Sequence, residues 1–344
     1  MKKLDLSVFR EHPSLRHLKR LTTNRGIIQH ADHEVPDPAF GYSIDDNARA
    51  LIVCLWHYKL YKDSAILQLA EIYFDYIKRV EKEGGSFHNF LSFSEKILDP
   101  EGSEDSIGRA IWALGEVVAH HPSEEVVKTA QTILERTKID RHLEHPHIRT
   151  KAYILLGLLA AGKKEEAKKW AIRLAEIFEQ NASSDWPWFE NGLYYANGIL
   201  PYVMAQAAIA FEDERFKKIA VQSFDWLDQV SRQDIIPAPI GQNGWYIRGQ
   251  EKALYDQQPL EAADMVLAAA ELNTLTGEEK YLEKALEWQD WYKGGNISKT
   301  MMIDTATGGV YDGLLPKGVN KNQGAESIVT YLLAYLALSK NAQN

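Results

Sequence analysis

The chain has 344 residues, of which 45% are hydrophobic and 25% charged, and both shares are ordinary for a globular protein with a large core. Its formal net charge at pH 7 is −9, and the sequence contains no dense basic run. Nucleic acid and an anionic membrane surface are therefore excluded as expected partners. No apolar window of roughly 18 residues occurs, and Met1 to Arg20 lacks a signal-peptide core, so we expect a cytoplasmic protein.

Known cofactor and metal motifs are missing from the sequence. Cys54 is the only cysteine, which excludes an internal disulfide and a zinc site built from several cysteines. No Gly-x-Ser-x-Gly, Walker or dinucleotide-binding motif is present. The pairs His30-x-x-His33 and His145-x-His147 have no further residues at matching ligand spacing. We therefore predict neither a metal nor a cofactor.

Apolar residues recur with the helical period along nearly the whole chain, and sustained strand-like alternation is almost absent. Helices that are apolar nearly all round alternate with helices that are charged on one face. The amphipathic set is predicted at about 14–22, 64–83, 123–138, 163–181, 213–232 and 278–293, and the apolar set at about 43–61, 104–120, 147–161, 193–211, 257–275 and 323–340. An all-α (α/α)6 toroid of six inner and six outer helices buries one set and exposes the other. Because no linker divides the chain, 1–344 is predicted to be a single domain.

The apolar helices begin with polar residues four positions apart, which lie on one face of a helix. These pairs are Asp45 with Arg49, Asp105 with Arg109, His145 with Arg149, Gln257 with Glu261, and Asn322 with Glu326. The fourth helix departs from the pattern, since Asn197 is followed by Pro201. Capping and internal ion pairs are the structural alternatives, but they do not explain Glu261 and Glu326, which we expect about one turn inside their helices. We predict a polar pocket where the inner helices begin.

Two loops combine aromatic rings with acids and amides, reading DWPWFE at 185–190 and GQNGWYIR at 241–248. Such a combination suits a sugar, because aromatic rings stack on its C–H face while its hydroxyl groups need donors and acceptors. The alternative is that these aromatic residues only close the ends of the toroid. The loops favour an oligosaccharide or sugar substrate.

Glycoside hydrolysis requires one protonated and one ionised carboxyl group. Our first choice is Asp46 with Asp105, on neighbouring inner helices, followed by Asp256 and Glu261. The predicted substrate-binding residues, which share a place in the loops or first turns, are His30, Asp45, Asn47, Arg49, Glu104, Arg109, Trp186, Glu190, Asn197, Trp245, Arg248, Gln257, Asn322 and Glu326.

Histidines offer a rival chemistry. Those in predicted loops and helix starts are His30, His33, His88, His145 and His147. Two facing histidines can remove and return a proton beside a sugar carbonyl, as an epimerase or isomerase requires. A third hypothesis is a non-catalytic glycan-binding subunit.

Seven sequence blocks resemble those of six-hairpin glycosidase-like proteins. They are GYSIDDNARAL at 41–51, EDSIGRAIWALG at 104–115, DWPWFE at 185–190, PIGQNGW at 239–245, YDQQPLEA at 255–262, TGGVYDGL at 307–314 and GAES at 324–327. The resemblance spans about residues 20–338 and is to a bacterial group whose activity is not settled. In the fourth helix, residues 195–201 read YANGILP where the family pattern has Asp-Asn-Ala-Arg-Leu-Pro, so the arginine is missing.

This resemblance implies an (α/α)6 toroid and a carbohydrate substrate such as a mannoside. It also implies a functional link to a glycosyltransferase or a mannoside phosphorylase, because members of the group occur beside or fused to such enzymes. It supplies no catalytic role for any residue. A glycosidase that uses paired carboxylates is the function we expect.

Overall fold

The computed structural model describes residues 4–343. Its helices are α1 (Arg16–Leu21), α2 (Ile44–Tyr61), α3 (Leu67–Val80), α4 (Glu104–His120), α5 (Glu124–Arg136), α6 (Ile148–Ala160), α7 (Lys164–Asn181), α8 (Ile199–Phe211), α9 (Glu214–Val230), α10 (Pro259–Thr276), α11 (Glu279–Asp290) and α12 (Ala325–Gln343). Short 3₁₀ turns lie at Ser7–Arg10, Pro38–Phe40, Ser64–Ile66 and Ile139–His142. The alternation of apolar and amphipathic helices is thus as predicted. None of these helices is long and apolar enough to span a membrane.

Serine side chains define several helix starts locally. Ser43, Ser103 and Ser123 precede α2, α4 and α5, and each Oγ accepts a hydrogen bond from the backbone N–H three residues later. Such caps satisfy a donor that the helix itself leaves without a partner. This local chemistry explains why the predicted starts of these helices differ from the observed ones by no more than one residue.

The chain packs as two compact units, residues 18–173 and residues 4–17 with 174–343, and the division falls within α7. In the first unit α4 packs against both α2 and α6, and α3 and α5 cover α2 and α4. In the second unit α10 packs against both α8 and α12, and α9 and α11 cover α8 and α10. The single domain predicted for 1–344 stays a prediction.

Burial separates the two kinds of helix. In α10, 14 of 18 residues are buried, whereas in α5 only Ala130, Ile133 and Leu134 are. Helices α4 and α6 approach each other closely at two glycines. A Cβ atom added to Gly115 would lie 2.1 Å from the carbonyl oxygen of Gly157. Only residues without a side chain permit this contact, so these two inner helices touch backbone to backbone.

Short two-stranded antiparallel ladders, absent from the sequence prediction, shape the loops. The paired strands are Thr22–Thr23 with Gly26–Ile27, Ala31–Asp32 with Val35–Pro36, Tyr42–Ser43 with Phe90–Leu91, Glu81–Lys82 with Ser86–Phe87, Gly192–Leu193 with Tyr246–Ile247, Arg232–Gln233 with Ile236–Pro237, Ile303–Asp304 with Gly309–Val310, and Gly313–Leu315 with Gly318–Asn320. Strands of two or three residues are too short to produce a detectable alternation.

Helix α8 corrects one predicted boundary, since it begins at Ile199 and not at Leu193. Leu193 instead pairs with Tyr246 in a strand. Asn197 then holds the intervening turn, because its Oδ1 accepts from the Tyr194 N–H (3.1 Å) and its Nδ2 donates to the Tyr194 carbonyl (2.8 Å). Pairing with a distant segment therefore overrides the helical pattern.

Candidate functional site

The start of α2 is held by its own side chains. The Ser43 Oγ accepts from the Asp46 N–H (3.2 Å) and donates to Asp46 Oδ2 (2.7 Å), while Asp46 Oδ1 accepts from Arg49 Nη2 (2.9 Å). Asn47 Nδ2 donates to the Ser43 carbonyl (2.7 Å), and Asn47 Oδ1 accepts from the Ile27 N–H (3.0 Å). The structure thus brings the predicted residues Asp46, Asn47 and Arg49 together in a buried, fixed group.

A charge pair joins α2 to α4. Arg109 Nη1 donates to Asp45 Oδ1 (2.6 Å), and Asn89 Nδ2 donates to Asp45 Oδ2 (3.1 Å). Arg109 also donates to the Tyr153 hydroxyl (3.1 Å) and lies 4.8 Å from the centre of its ring. Burial raises the pKa of Asp45, but the charges of Arg109 and Arg49 and the bonds from Arg109 and Asn89 outweigh it, so the net pKa is lowered. Asp45 is an ionised carboxylate held in place.

The first turn of α4 supplies two further carboxylates. Asp105 is buried, and its Oδ1 accepts from Thr150 Oγ1 on α6 (2.8 Å). Glu104 is partly buried and forms a hydrogen bond with Nδ1 of His142. The sequence therefore placed Glu104 and Asp105 correctly at a helix start, while their partners lie about 40 residues away along the chain.

The proton on His142 can be assigned from its neighbours. Arg141 Nε donates to His142 Nε2 (3.0 Å), so Nε2 is an acceptor and the proton of the neutral ring lies on Nδ1, facing Glu104. Burial lowers the pKa of His142, and the bond and charge of Glu104 only partly oppose this. His142 is thus a neutral donor that orients Glu104. Sequence reasoning missed it, although the stretch from His142 to His147 holds three histidines.

Three of the histidines that the sequence singled out, His30, His145 and His147, are more accessible than His142. His145 and His147 stack with ring centres 4.8 Å apart, and His145 Nδ1 lies 3.8 Å from Glu104 Oε2. The ring of His30 is exposed and packs edge-on against Phe40 (4.6 Å). His145, unlike His30, therefore lies next to one of the predicted site carboxylates.

In the second unit, the loop tryptophans are covered by protein. Trp186 is 4% exposed, packs edge-on against Trp226 (4.6 Å) and Tyr246 (5.2 Å), and donates from Nε1 to the Glu190 carbonyl (2.8 Å). Glu190 itself is partly buried. Nothing in the sequence predicted Trp226, since it lies on the outer helix α9. Trp186 has the packing of a structural residue.

The neighbouring loop carries the other predicted residues of this group. Arg248 Nη2 donates to Asp185 Oδ1 (3.0 Å), with its guanidinium carbon 5.9 Å from the centre of the Trp186 ring. Trp245 is partly buried and packs edge-on against Tyr194 (6.3 Å). The two loops that the sequence singled out are thereby tied to each other.

Glu261 and Gln257 are engaged with backbone groups. Glu261 Oε1 accepts from the Ala196 N–H (2.5 Å), and Oε2 accepts from Asn197 Nδ2 (2.9 Å), so Glu261 fastens the turn before α8. Gln257 is buried, donating to the Leu254 carbonyl (2.8 Å) and accepting from Trp291 Nε1 (3.0 Å). Glu261 brings Asn197, another predicted residue, into contact with α10.

The expectation that Glu261 and Glu326 lie a turn inside their helices is wrong. Both lie in the first turn, because α10 begins at Pro259 and α12 at Ala325. Glu326 is partly buried. Asn322 precedes α12, and its carbonyl accepts from the N–H of Asp312 (2.9 Å). These acids thus have the helix-start position that Asp45 and Asp105 also have.

Asp256 differs from every carboxylate described above. Its Oδ1 is buried, and the side chain accepts no hydrogen bond from residues 4–343. Gly313 leaves the room for it, since a Cβ there would lie 2.3 Å from this oxygen. Burial raises the pKa of Asp256, and the charge of Asp312 raises it further. Asp312 Oδ1 accepts from the Gly324 N–H (2.8 Å) and from Ser327 Oγ (2.6 Å). The Asp256 pair (Asp256 and Asp312) is therefore suited to hold a proton.

Several solved structures share this fold. A cellobiose 2-epimerase from Bacillus thermoamylovorans matches with a TM-score of 0.78 and 12% identity over 98% of this chain and 99% of that one. A D-mannose isomerase matches at 0.72 and 14%, over 98% and 97%. A cellulase of C. cellulolyticium in complex with cellobiose matches at 0.64 and 8%, over 92% and 88%. No protein-family model and no curated protein matches the sequence.

These likenesses define the class of the protein by its fold. The chain has the (α/α)6 toroid fold, with six inner and six outer helices, as the sequence predicted. The resemblance to six-hairpin glycosidase-like proteins is confirmed at the level of the fold.

Proposed function

We propose that the protein is a carbohydrate-active enzyme, namely a glycoside hydrolase that uses Asp256 as its proton donor. The observation that carries this proposal is a partly buried carboxyl group whose pKa is raised by burial and by Asp312, and whose Oδ1 has no hydrogen-bond donor among residues 4–343. Hydrolysis of a glycoside needs a carboxyl group that still holds a proton when the substrate binds.

In the proposed reaction, Asp256 gives its proton to the glycosidic oxygen as the bond from that oxygen to the anomeric carbon breaks. The oxygen leaves as a hydroxyl group, and water supplies the oxygen that the anomeric carbon gains. The proton that this water releases passes to the solvent, from which Asp256 is protonated again. Asp312 is the ionised member of the pair, and its charge keeps the proton on Asp256 before the reaction. Glu261 positions the adjoining turn through Ala196 and Asn197.

In this proposal the predicted carboxylates of the first unit do not transfer a proton. Asp45 is held ionised by Arg109, and Asp46 accepts bonds from Arg49 and Ser43. We therefore assign proton transfer to Asp256 and not to the Asp46–Asp105 pair that the sequence favoured.

The comparisons support a sugar as substrate, because an epimerase, an isomerase and a cellulase that act on sugars share the fold. We propose a short oligosaccharide, with mannosides to be tested first because the resemblance to six-hairpin glycosidase-like proteins implies them.

A second candidate function is favoured by the stacked rings of His145 and His147 beside Glu104. In a sugar epimerase or isomerase, one histidine takes the proton next to the sugar carbonyl and another group returns it. The epimerase and the isomerase that share the fold give this candidate further support.

One experiment separates the two functions. The protein is incubated in D₂O with manno- and cello-oligosaccharides, and the products are followed by mass spectrometry and NMR. Hydrolysis gives shorter sugars, whereas epimerisation leaves the length unchanged and replaces a carbon-bound hydrogen by deuterium. We expect shorter sugars, and Asp256→Asn should lower kcat by about 10²- to 10⁴-fold.

The matched control is Asp290→Asn, which changes an exposed aspartate at the end of α11 and should leave kcat unaltered. Full turnover by Asp256→Asn would refute the assigned proton donor. Deuterium incorporation that is lost in His145→Ala would establish the second candidate instead. If the unsubstituted protein binds these sugars without turning them over, the result would support the hypothesis of a non-catalytic glycan-binding subunit.

A further inference from the structure

A cavity of about 460 Å³ opens on the second unit, close in sequence to Asp256 but built from other residues. This volume lies within the range of roughly 300–1,000 Å³ of small-molecule sites, but the cavity is shallow and widely open to solvent. Val230, at the end of α9, and Leu254 give it aliphatic surface, and Tyr246 adds a partly buried aromatic ring. The cavity thus has an apolar part on which the C–H face of a ring can pack.

The polar lining of the cavity is unused by the protein itself. Gln233, Gln250 and Glu251 line it with exposed side chains. Four polar groups of the lining form no hydrogen bond with another residue of 4–343. They are the amide groups of Gln233 and Gln250, the carboxylate of Glu251 and the hydroxyl group of Tyr246. The amides both donate and accept, which matches the hydroxyl groups of a sugar.

The remaining lining residue, Lys252, does not make the cavity an anion site. Its ammonium group donates to the carbonyl oxygens of Val230 (2.8 Å) and Arg232, so two of its three donors are engaged. Burial lowers the pKa of Lys252. Because Glu251 adds a carboxylate to the same lining, the two charges offset each other. An uncharged ligand fits this balance better than a phosphate or a carboxylate.

Five of the seven residues that line the cavity belong to the same segment as Asp256, residues 241–256. Within it the Ala253 N–H donates to the Trp245 carbonyl (2.8 Å), and the Gln242 N–H donates to the Asp256 carbonyl (2.9 Å). The Leu254 carbonyl also accepts from Gln257 at the foot of α10 (2.8 Å). These bonds connect the segment that carries five of the lining residues to the backbone of the proposed proton donor and to the start of α10.

We propose that this cavity is a distal subsite that binds an uncharged sugar unit of an oligosaccharide whose other end reaches Asp256. The inference rests on the proposed function for its choice of ligand. The subsite gives longer oligosaccharides more contacts than disaccharides, and so it sets a preference for chain length.

The test uses the full chain carrying Asp256→Asn, so that no substrate is consumed, and manno- and cello-oligosaccharides of increasing length from the disaccharide upward. Dissociation constants are measured by calorimetry. We expect affinity to rise with length, and the added double change Gln233→Ala/Gln250→Ala to weaken binding of the longer sugars about tenfold. Binding of the disaccharide should stay the same.

The matched control is Gln222→Ala, which removes an exposed glutamine on α9 that is not in the cavity lining. Equal affinities of the double variant and the control for every length would overturn the subsite, as would a lack of any binding to these sugars. Urea unfolding of both variants checks that the fold is retained.

The outcome is independent of the assigned chemistry. If the unsubstituted protein epimerises sugars and does not cleave them, the hydrolase proposal fails. A loss of length preference in the double variant would even then support the subsite.

Discussion

Aspartates near the starts of two inner helices, Asp45 in the first unit and Asp256 in the second, have opposite surroundings. Asp45 receives Arg109 and Asn89, and its pKa is lowered. The pKa of Asp256 is raised by burial and by the charge of Asp312, and no cation among residues 4–343 opposes this. Although the two residues have similar places in the sequence pattern, Asp45 is a fixed negative charge, whereas Asp256 binds a proton more readily than an ordinary aspartate. The difference arises because a neighbouring helix places the guanidinium group of Arg109 next to Asp45.

The two aspartates affect stability in opposite directions as pH changes. The pKa of Asp45 in the folded state lies below its ordinary value of 3.8, so Asp45 stabilises the fold above that pH and the contribution is lost in acid. The pKa of Asp256 in the folded state lies above 3.8, so its favourable contribution is present below that pH and is lost as the pH rises through the raised pKa. At neutral pH Asp45 supports the fold and Asp256 opposes it.

The largest effect is expected from Arg109→Met, which removes the cation from Asp45 while keeping an apolar stem. Both side chains are largely buried, with 8% and 20% exposed, so the carboxylate loses its hydrogen-bonded cation and keeps the more weakly acting charge of Arg49. The free energy of unfolding at pH 7 should fall by about 3–5 kcal/mol in urea titrations.

Its control is Arg136→Met, which breaks the pair with Glu81 at a site where the arginine is 57% exposed. Such a pair contributes at most about 1 kcal/mol. Similar losses of unfolding free energy in the two variants would contradict the view that burial makes the Arg109–Asp45 pair contribute more than an exposed pair.

A smaller effect is expected from Thr150→Val, which keeps the side-chain shape but removes the donor to Asp105. Both residues are buried, and the lost bond is 2.8 Å long. Leaving a buried acceptor short of one donor should cost about 1–3 kcal/mol, measured in the same way.

Thr132→Val serves as the reference for this change. On an exposed face of α5, the hydroxyl group of Thr132 donates to the Lys128 carbonyl of its own helix and to no other group of residues 4–343. Its loss should change stability by less than about 0.5 kcal/mol. An equal loss of unfolding free energy in both variants would contradict the view that the hydrogen bond from Thr150 on α6 stabilises Asp105.

The smallest effect on stability is expected from Asp256→Asn, and its sign is reversed. The amide cannot ionise, so at pH 7 unfolding should need as much free energy as before or more, and this gain should disappear below pH 4. Urea titrations across this pH range measure it. Asp45→Asn provides the contrast, since it should destabilise at pH 7. A loss of stability in Asp256→Asn at neutral pH would mean that Asp256 is an ionised, stabilised group.

Features of the fold and the site that depend on interactions between residues close in the sequence could be predicted, whereas those that depend on distant segments could not. Helical periodicity and serine caps act within a few residues, so the helix bounds, the alternation of inner and outer helices and the fold class follow from the sequence. The start of α8 does not, because Leu193 pairs with Tyr246 from another loop. The sequence also placed many polar residues at helix starts, but it assigned proton transfer to Asp46 and Asp105 first.

Apart from the start of α8, the sequence alone predicted which residues form helices, which of these are inner helices, and which acids lie at or near their starts. Only the tertiary structure decided the state of each acid: Arg109 reaches Asp45 from 64 residues away, whereas Asp256 meets Gly313 and Asp312. The physical reason is that protonation depends on burial and on the nearest charge, and both are set by contacts between segments that local pattern does not encode.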